Sequence, residues 1–261
     1  MMPSATVRSR QEHQTTVPVL LYHSVSDTPA AEIAPYTVSP AMFERHLDLV
    51  ARGRNSLTVS QLADCLTGAA EWPADPVVIT FDDGFADNLE IAAPMLSAHD
   101  VRATVYVTTG YVGRVAMVGW SQVTELDAMG VEIGAHAHTH TPLDELPPGE
   151  AIDEIRGSKE LLEDRLGHAV PSFAYPHGYS DARVRREVSA AGFRSACGVR
   201  NALSHTGDDR WNIARLTVRP DTSLGMLERW LSGQSAPVAR PHEAPKTRVW
   251  RAVRRLRRGR W

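Results

Sequence analysis

The stretch VVITFDD, residues 77–83, determines the fold expected for this chain. Its β-forming residues occupy successive positions, which is typical of a parallel strand covered on both faces, and two carboxylates follow where the strand should end. Comparable apolar runs recur along the sequence and predict further strands. They cover residues 17–22, 101–107, 131–135, 172–175, 193–199 and 213–218.

Helical patterns separate these runs, and capping residues mark their ends. The alternation of strand and helix predicts an α/β protein with a parallel sheet. About seven such units favour a closed or nearly closed barrel, and no glycine-rich phosphate loop follows the first run to support a dinucleotide-binding sheet. The predicted helices open at Ser39-Pro40, Ser121, Pro148 and Asp181, and end before Gly53, Gly130, Gly167 and Gly192.

The 261 residues suit a single barrel domain over residues 17–232. Residues 1–16 are expected to be a disordered N-terminal segment, and residues 233–261 a Pro-containing linker followed by a basic tail. Two cysteines do not form a disulfide framework. The apolar run at 17–22 is too short for a signal peptide, and no run approaches the roughly 18 apolar residues of a membrane span, so a cytoplasmic location is expected.

Charge is distributed unevenly along the chain. The net charge is −3, but residues 246–261 contain eight Lys or Arg and no acid, which leaves 20 basic and 31 acidic residues elsewhere. Such a tail predicts peripheral contact with an anionic surface, such as the inner face of a membrane, and a solvated terminus explains it equally well. The acidic body argues against nucleic acid as a partner.

Titratable residues follow four of the predicted strands. Because the carboxyl ends of barrel strands share one rim, we expect these side chains to converge. They are His23, the pair Asp82 and Asp83, the group His136, His138 and His140, and His177.

Two of these groups suggest metal chemistry when taken together. Alone, Asp82-Asp83-Gly84 could be a simple turn, and His136-x-x-x-His140 could be a polar loop. Adjacent carboxylates at a strand end point in different directions, so one can bind a metal while the other acts as a base. Two imidazoles at this spacing lie on the same side, and with one Asp they form a common mononuclear metal set with open positions.

Four segments resemble the polysaccharide deacetylases with a NodB homology domain, known as carbohydrate esterase family 4. They occur in the family's order, and the resemblance covers roughly residues 17–220. It implies a deformed (β/α) barrel of about seven parallel strands and hydrolysis of N-acetyl groups on hexosamine glycans. The segments are ITFDDGFADN (79–88), IGAHAHTHTPL (133–143), FAYPHG (173–178) and, as a marker of one subset, LLYHSV (20–25).

By position, the resemblance implies a divalent metal held by Asp83, His136 and His140. Zinc is expected, with cobalt, nickel or manganese as alternatives. Asp82 is implied as the general base. The segment Tyr175, Pro176, His177 and Gly178 is implied to bind substrate, with the backbone N–H of His177 helping to stabilise the oxyanion.

The sequence departs from the family pattern at several positions. Ala137 replaces the usual Ser or Thr, His177 the common Tyr, and Ala174 the usual arginine. We therefore expect Arg215 to orient Asp82. The late Leu-x-His that supplies the general acid is missing, because residues 214–224 are ARLTVRPDTSL. We assign the acid to His23, with His177 as the alternative.

Three functions fit these residues. The first is a metal-dependent N-acetyl-sugar deacetylase. The second, motivated by the missing late His, is a catalytically inactive carbohydrate-binding domain that retains the barrel. The third is a hydrolase of small amides or O-acetyl esters using the same chemistry.

Overall fold

The computed structural model describes residues 15–240, 250, 251 and 254. Short strands alternate with helices, as the sequence pattern predicts. The strands are β1 (Thr16–Val17), β2 (Val19–Tyr22), β3 (Ser24–Val25), β4 (Thr37–Val38), β5 (Asn55–Leu57), β6 (Pro76–Phe81), β7 (Ala103–Val107), β8 (Glu132–Ala135), β9 (Ser172–Ala174), β10 (Ser195–Cys197), β11 (Ser204–His205) and β12 (Leu216–Thr217). The helices are α1 (Pro40–Ala51), α2 (Val59–Thr67), α3 (Ala93–Ala98), α4 (Trp120–Ala128), α5 (Pro148–Leu166), α6 (Ala182–Ala190) and α7 (Leu224–Leu231), with a π-helical stretch at Asn88–Ala92 before α3.

The main sheet has the strand order β10-β9-β8-β7-β6-β2-β12, and β5 pairs with the first half of β6. Neighbouring strands are parallel throughout this order. An isolated parallel bridge joins Cys197 in β10 to Ile213, shortly before β12. Residues 213–217 therefore contact both ends of the sheet, which confirms the predicted deformed (β/α) barrel of about seven parallel strands, with β5 as an eighth strand of the sheet.

Capping residues explain why the helices begin and end where they do. The Ser39 side chain accepts a hydrogen bond from the Met42 amide at the start of α1, and Asp181 does the same for Val184 at the start of α6. Helix α5 spans the predicted residues 148–166, and Gly167 ends it with a left-handed φ of 74°.

The predicted strand at residues 17–22 is split at Pro18. Proline has no N–H to donate to a ladder, so the chain changes partner there. Val17 lies in β1, which is antiparallel to β11, whereas Val19 begins β2 inside the barrel sheet.

The described residues after 232 lie against the barrel. Leu203 bridges Val238, and Ala239 is buried. Arg251 and Arg254, two of the eight basic residues of the tail, form ion pairs with the buried Asp144. Most of segment 1–16 and of tail 246–261 lies outside the described residues, so the predicted disorder and membrane contact stay predictions. Within the described part of the chain, no helix has the length and apolarity to cross a membrane.

Candidate metal centre and active site

Except for His138, whose Nδ1 is hydrogen-bonded to the Thr109 hydroxyl, the polar residues predicted to converge meet at one rim of the barrel. Asp82 and Asp83 follow β6 directly, and His136 follows β8. The chain then turns so that the His140 ring lies 4.9 Å from the His136 ring, centroid to centroid. His177, after β9, brings its ring to 4.5 Å from that of His140.

Asp83, His136 and His140 form a three-ligand cluster. One ligand atom from each lies within 4.8 Å of the others. Asp83 Oδ1 is 3.4 Å from His136 Nε2 and 3.2 Å from His140 Nε2. Two atoms bound tetrahedrally to one zinc ion lie about 3.4 Å apart, so these separations suit a shared cation.

Asp83 Oδ1 supports a cation at this point. The oxygen is buried and has no hydrogen-bond partner among the described residues, although two imidazoles face it. A buried carboxylate oxygen without a partner is costly, and a metal ion would satisfy it. The residues present therefore fit a divalent metal.

The orientation of His136 is fixed by a backbone carbonyl. Its Nδ1 donates a hydrogen bond of 2.8 Å to the Ala174 carbonyl, so Nε2 of the neutral ring presents its lone pair towards Asp83. Burial lowers the pKa of His136, but Asp82 and Asp83 outweigh burial and raise it. In His140, burial and the neighbouring His136 lower the pKa to about 4, which keeps that imidazole in the neutral form that binds metals.

Backbone strain is concentrated at this rim. Asp83, Ala137, His140 and His177 have positive φ values of 76°, 60°, 62° and 56°. The left-handed backbone conformation costs a non-glycine residue about 1–2 kcal/mol, so the surrounding structure must hold each of these residues in place. Such strain is typical of functional sites.

Asp82 is bound by a buried arginine. Arg215 donates to Asp82 Oδ1 at 2.7 Å and to Oδ2 at 2.8 Å, and neither residue is appreciably exposed. Burial alone would raise the pKa of Asp82, but the Arg215 guanidinium holds it below its usual range. Arg215 also donates to the Gly198 carbonyl and to Thr80, which fixes its position.

His23 lies near Asp82 and Arg215, and its ring contacts an aromatic ring. Its ring centroid is 5.1 Å from that of Tyr36, and its Nδ1 is buried without a hydrogen-bond partner among the described residues. Burial lowers the pKa of His23, partly offset by the carboxylates of Asp82 and Asp83. Tyr36 was not among the residues predicted from sequence, because its contact with His23 is tertiary.

The predicted substrate-binding segment divides between surface and core. His177 is exposed, and the Gly178 backbone approaches Val199 so closely that a Cβ would lie 2.4 Å from its nitrogen. Tyr175 and Pro176 are buried, and the Tyr175 hydroxyl donates to the Trp211 carbonyl. The structure therefore does not bring the Tyr175 side chain to the rim, because the strand alternation points it into the core.

Glu154 was likewise not predicted from the sequence; it is a helical residue that binds the loop between His136 and His140. No sequence motif marks it, because it lies on α5 among several other acidic residues.

Comparison with known proteins identifies the family. A family model described as polysaccharide deacetylase matches residues 70–196. The chain is 25% identical over 215 residues to "Putative polysaccharide deacetylase YxkH" of Bacillus subtilis, covering 82% of this chain and 75% of the relative. It is 22% identical over 214 residues to a Staphylococcus aureus poly-beta-1,6-N-acetyl-D-glucosamine N-deacetylase, covering 76% and 73%.

A solved structure agrees with these matches. IcaB from Ammonifex degensii superposes with a TM-score of 0.74 at 26% identity, covering 83% of this chain and 97% of that one. The chain belongs to the polysaccharide deacetylase family. It is a carbohydrate deacetylase, a hydrolase, as the sequence predicts.

Proposed function

We propose that this protein removes N-acetyl groups from N-acetylhexosamine glycans, with a divalent metal held by Asp83, His136 and His140. The observation that carries the proposal is the buried Asp83 Oδ1, which faces two imidazole Nε2 atoms at 3.4 and 3.2 Å without a hydrogen bond of its own among the described residues. Zinc suits one carboxylate and two imidazoles, and cobalt, nickel or manganese are alternatives.

When bound, the metal would polarise the acetamide carbonyl and make a water molecule more acidic. The general base is Asp82, whose Oδ2 lies 3.8 Å from His136 Nε2 and hence next to the metal ligands. Arg215 keeps Asp82 ionised and holds it in one orientation. A carboxylate with a low pKa is a weak base, so this assignment requires an acidified water molecule as its partner.

The proton for the leaving amine is assigned to His23, with exposed His177 as the alternative donor. A histidine with a lowered pKa gives up its proton readily when protonated. The backbone N–H of His177 is the proposed oxyanion donor, since the tight turn at Pro176–Gly178 lies beside His140.

The relatives suggest the substrate class. The Staphylococcus aureus relatives are named for poly-β-1,6-N-acetylglucosamine, so that polymer and its oligosaccharides are the first substrates to test.

The test measures acetate release from β-1,6-linked and β-1,4-linked N-acetylglucosamine oligosaccharides. We expect release by the wild type, loss after chelation, recovery with zinc or cobalt, and no release by Asp82→Asn. Release that is unaffected by chelation would contradict the metal assignment. Binding without acetate release from any substrate would favour the inactive carbohydrate-binding alternative.

A further inference from the structure

The loop from His136 to His140 carries two of the three proposed metal ligands, yet its backbone is strained. Ala137 and His140 have φ values of 60° and 62°. Each costs about 1–2 kcal/mol, so the loop keeps this shape only where other groups hold it.

On one side, the loop is held by the segment after β7. The Thr109 amide donates to the Ala137 carbonyl at 3.2 Å, and the Gly110 amide donates to the His138 carbonyl at 2.8 Å. The approach is so close that a Cβ on Gly110 would lie 2.5 Å from the His138 oxygen. These contacts restrain the carbonyl side of the loop.

On the other side, the loop is held by a single carboxylate. Glu154 Oε2 accepts hydrogen bonds from the amides of His138 at 2.8 Å and Thr139 at 2.7 Å. Its Oε1 accepts one from the Thr139 hydroxyl at 2.7 Å. Both oxygens are therefore used, and hydrogen bonds to an ionised acceptor are stronger than neutral ones.

The helix that carries Glu154 is firmly anchored. Neighbouring residues Ala151, Ile155 and Ser158 are fully buried in α5, so the position of the Glu154 backbone is fixed by the core. Glu154 therefore links the packed body of the barrel to the strained loop. It binds the loop next to Ala137, one of the two strained residues.

We propose that Glu154 is a positioning residue that sets the metal affinity of the site by holding His136 and His140 in ligand geometry. The inference rests on the proposed metal site at Asp83, His136 and His140. Outer partners of metal ligands typically change affinity about 10–100-fold when removed, and Glu154 supplies three hydrogen bonds to the loop. The metal affinity should therefore depend on whether the side chain is long enough to bring its acceptor oxygens to the loop, and not on its negative charge alone.

Three substitutions separate reach from charge. Glu154→Gln keeps the length and one oxygen acceptor but loses the charge, whereas Glu154→Asp keeps the charge but is one methylene too short. Glu154→Ala removes both. Glu160→Gln is the matched control, because Glu160 is exposed on the same helix and, like Glu154, lines a surface cleft beside His138.

The experiment measures zinc dissociation constants by competition with a chromogenic chelator, together with the visible absorption of the cobalt-loaded proteins. We expect Glu154→Ala and Glu154→Asp to bind zinc about 10–100-fold more weakly than wild type. Glu154→Gln should bind more tightly than Glu154→Asp, and Glu160→Gln should match wild type. The cobalt spectrum should change in Glu154→Ala and Glu154→Asp, which a purely stabilising role would not cause.

Equal affinities in wild type and Glu154→Ala would overturn the proposal, as would tighter binding by Glu154→Asp than by Glu154→Gln. If Glu154→Ala does not fold, the zinc affinities of Glu154→Gln and Glu154→Asp still test the proposal. Failure of the wild type to bind zinc would overturn the proposed function as well. A different result would reject only the role of Glu154. In that case His136→Ala would abolish zinc binding, but no Glu154 variant would change the zinc affinity.

Discussion

Replacing Arg215 with Met should destabilise the protein strongly, because it leaves a buried carboxylate unpaired. Arg215 is fully buried and Asp82 is 3% exposed, and two hydrogen bonds of 2.7 and 2.8 Å join them. Removing one partner of such a pair costs about 3–5 kcal/mol. For a chain of this size, 1 kcal/mol shifts the melting temperature by about 2–4 °C, so we expect a fall of roughly 6–20 °C.

A double-mutant cycle separates this pairing from ordinary packing loss. Asp82→Asn alone should also destabilise the protein, since it leaves the Arg215 guanidinium buried without its counter-charge. The double variant contains neither charge. Its loss in free energy of unfolding should therefore be smaller than the sum of the two single losses by about 2 kcal/mol or more. Arg215→Lys should fall between, because lysine keeps the charge but lacks the two-pronged geometry.

The assay is urea denaturation of the wild type, both single variants and the double variant, in chelator so that metal binding does not contribute. Acetate release should fall at least about 100-fold in Arg215→Met, since the base loses its fixed orientation. If the loss in free energy of unfolding of the double variant equals the sum of the two single losses within about 0.5 kcal/mol, the coupling of Arg215 to Asp82 is refuted.

Three further predictions concern other parts of the molecule. His23→Ala should slow hydrolysis of amides more than that of activated acetate esters, whose leaving group needs no proton; equal loss on both would remove His23 as the acid. Burial lowers the pKa of His46 to about 4, so its contribution to the free energy of unfolding should be full above pH 6.5 and fall by about 3 kcal/mol as the pH drops to about 4. When denaturation is measured at several pH values, His46→Gln should lose less free energy of unfolding on acidification than wild type. Changing Arg251 and Arg254 to Gln removes ion pairs to the buried Asp144 and should lower the free energy of unfolding by about 1.5–3 kcal/mol, whereas an unchanged melting curve would show that these contacts do not stabilise the fold.

The sequence predicts the barrel well because its signals are local. Helix α5 begins and ends as predicted, since Pro148 and Gly167 act on the residues next to them. Buried parallel strands are recognisable from their continuous apolar runs, as at 77–81. Pro18 is an exception, because the apolar run continues through it whereas the hydrogen-bonded ladder changes partner there.

The site is less predictable, because its contacts join distant parts of the chain. Arg215 reaches Asp82 across 133 positions, and family resemblance suggested that contact where spacing alone could not. Tyr175 is conspicuous in sequence beside the rim, yet it points inward. Glu154 has no sequence signal, since only the fold places one acidic residue of α5 against the His136–His140 loop.

Asp83, His136 and His140 are proposed to share one divalent cation. This sharing is tested by the zinc content of purified protein after loading and desalting, measured by mass spectrometry for wild type, Asp83→Ala, His136→Ala and His140→Ala. We expect close to one zinc per wild-type chain and far less in each variant, with the fold retained by circular dichroism. Wild-type protein without zinc, or variants that retain it in full, would contradict the claim.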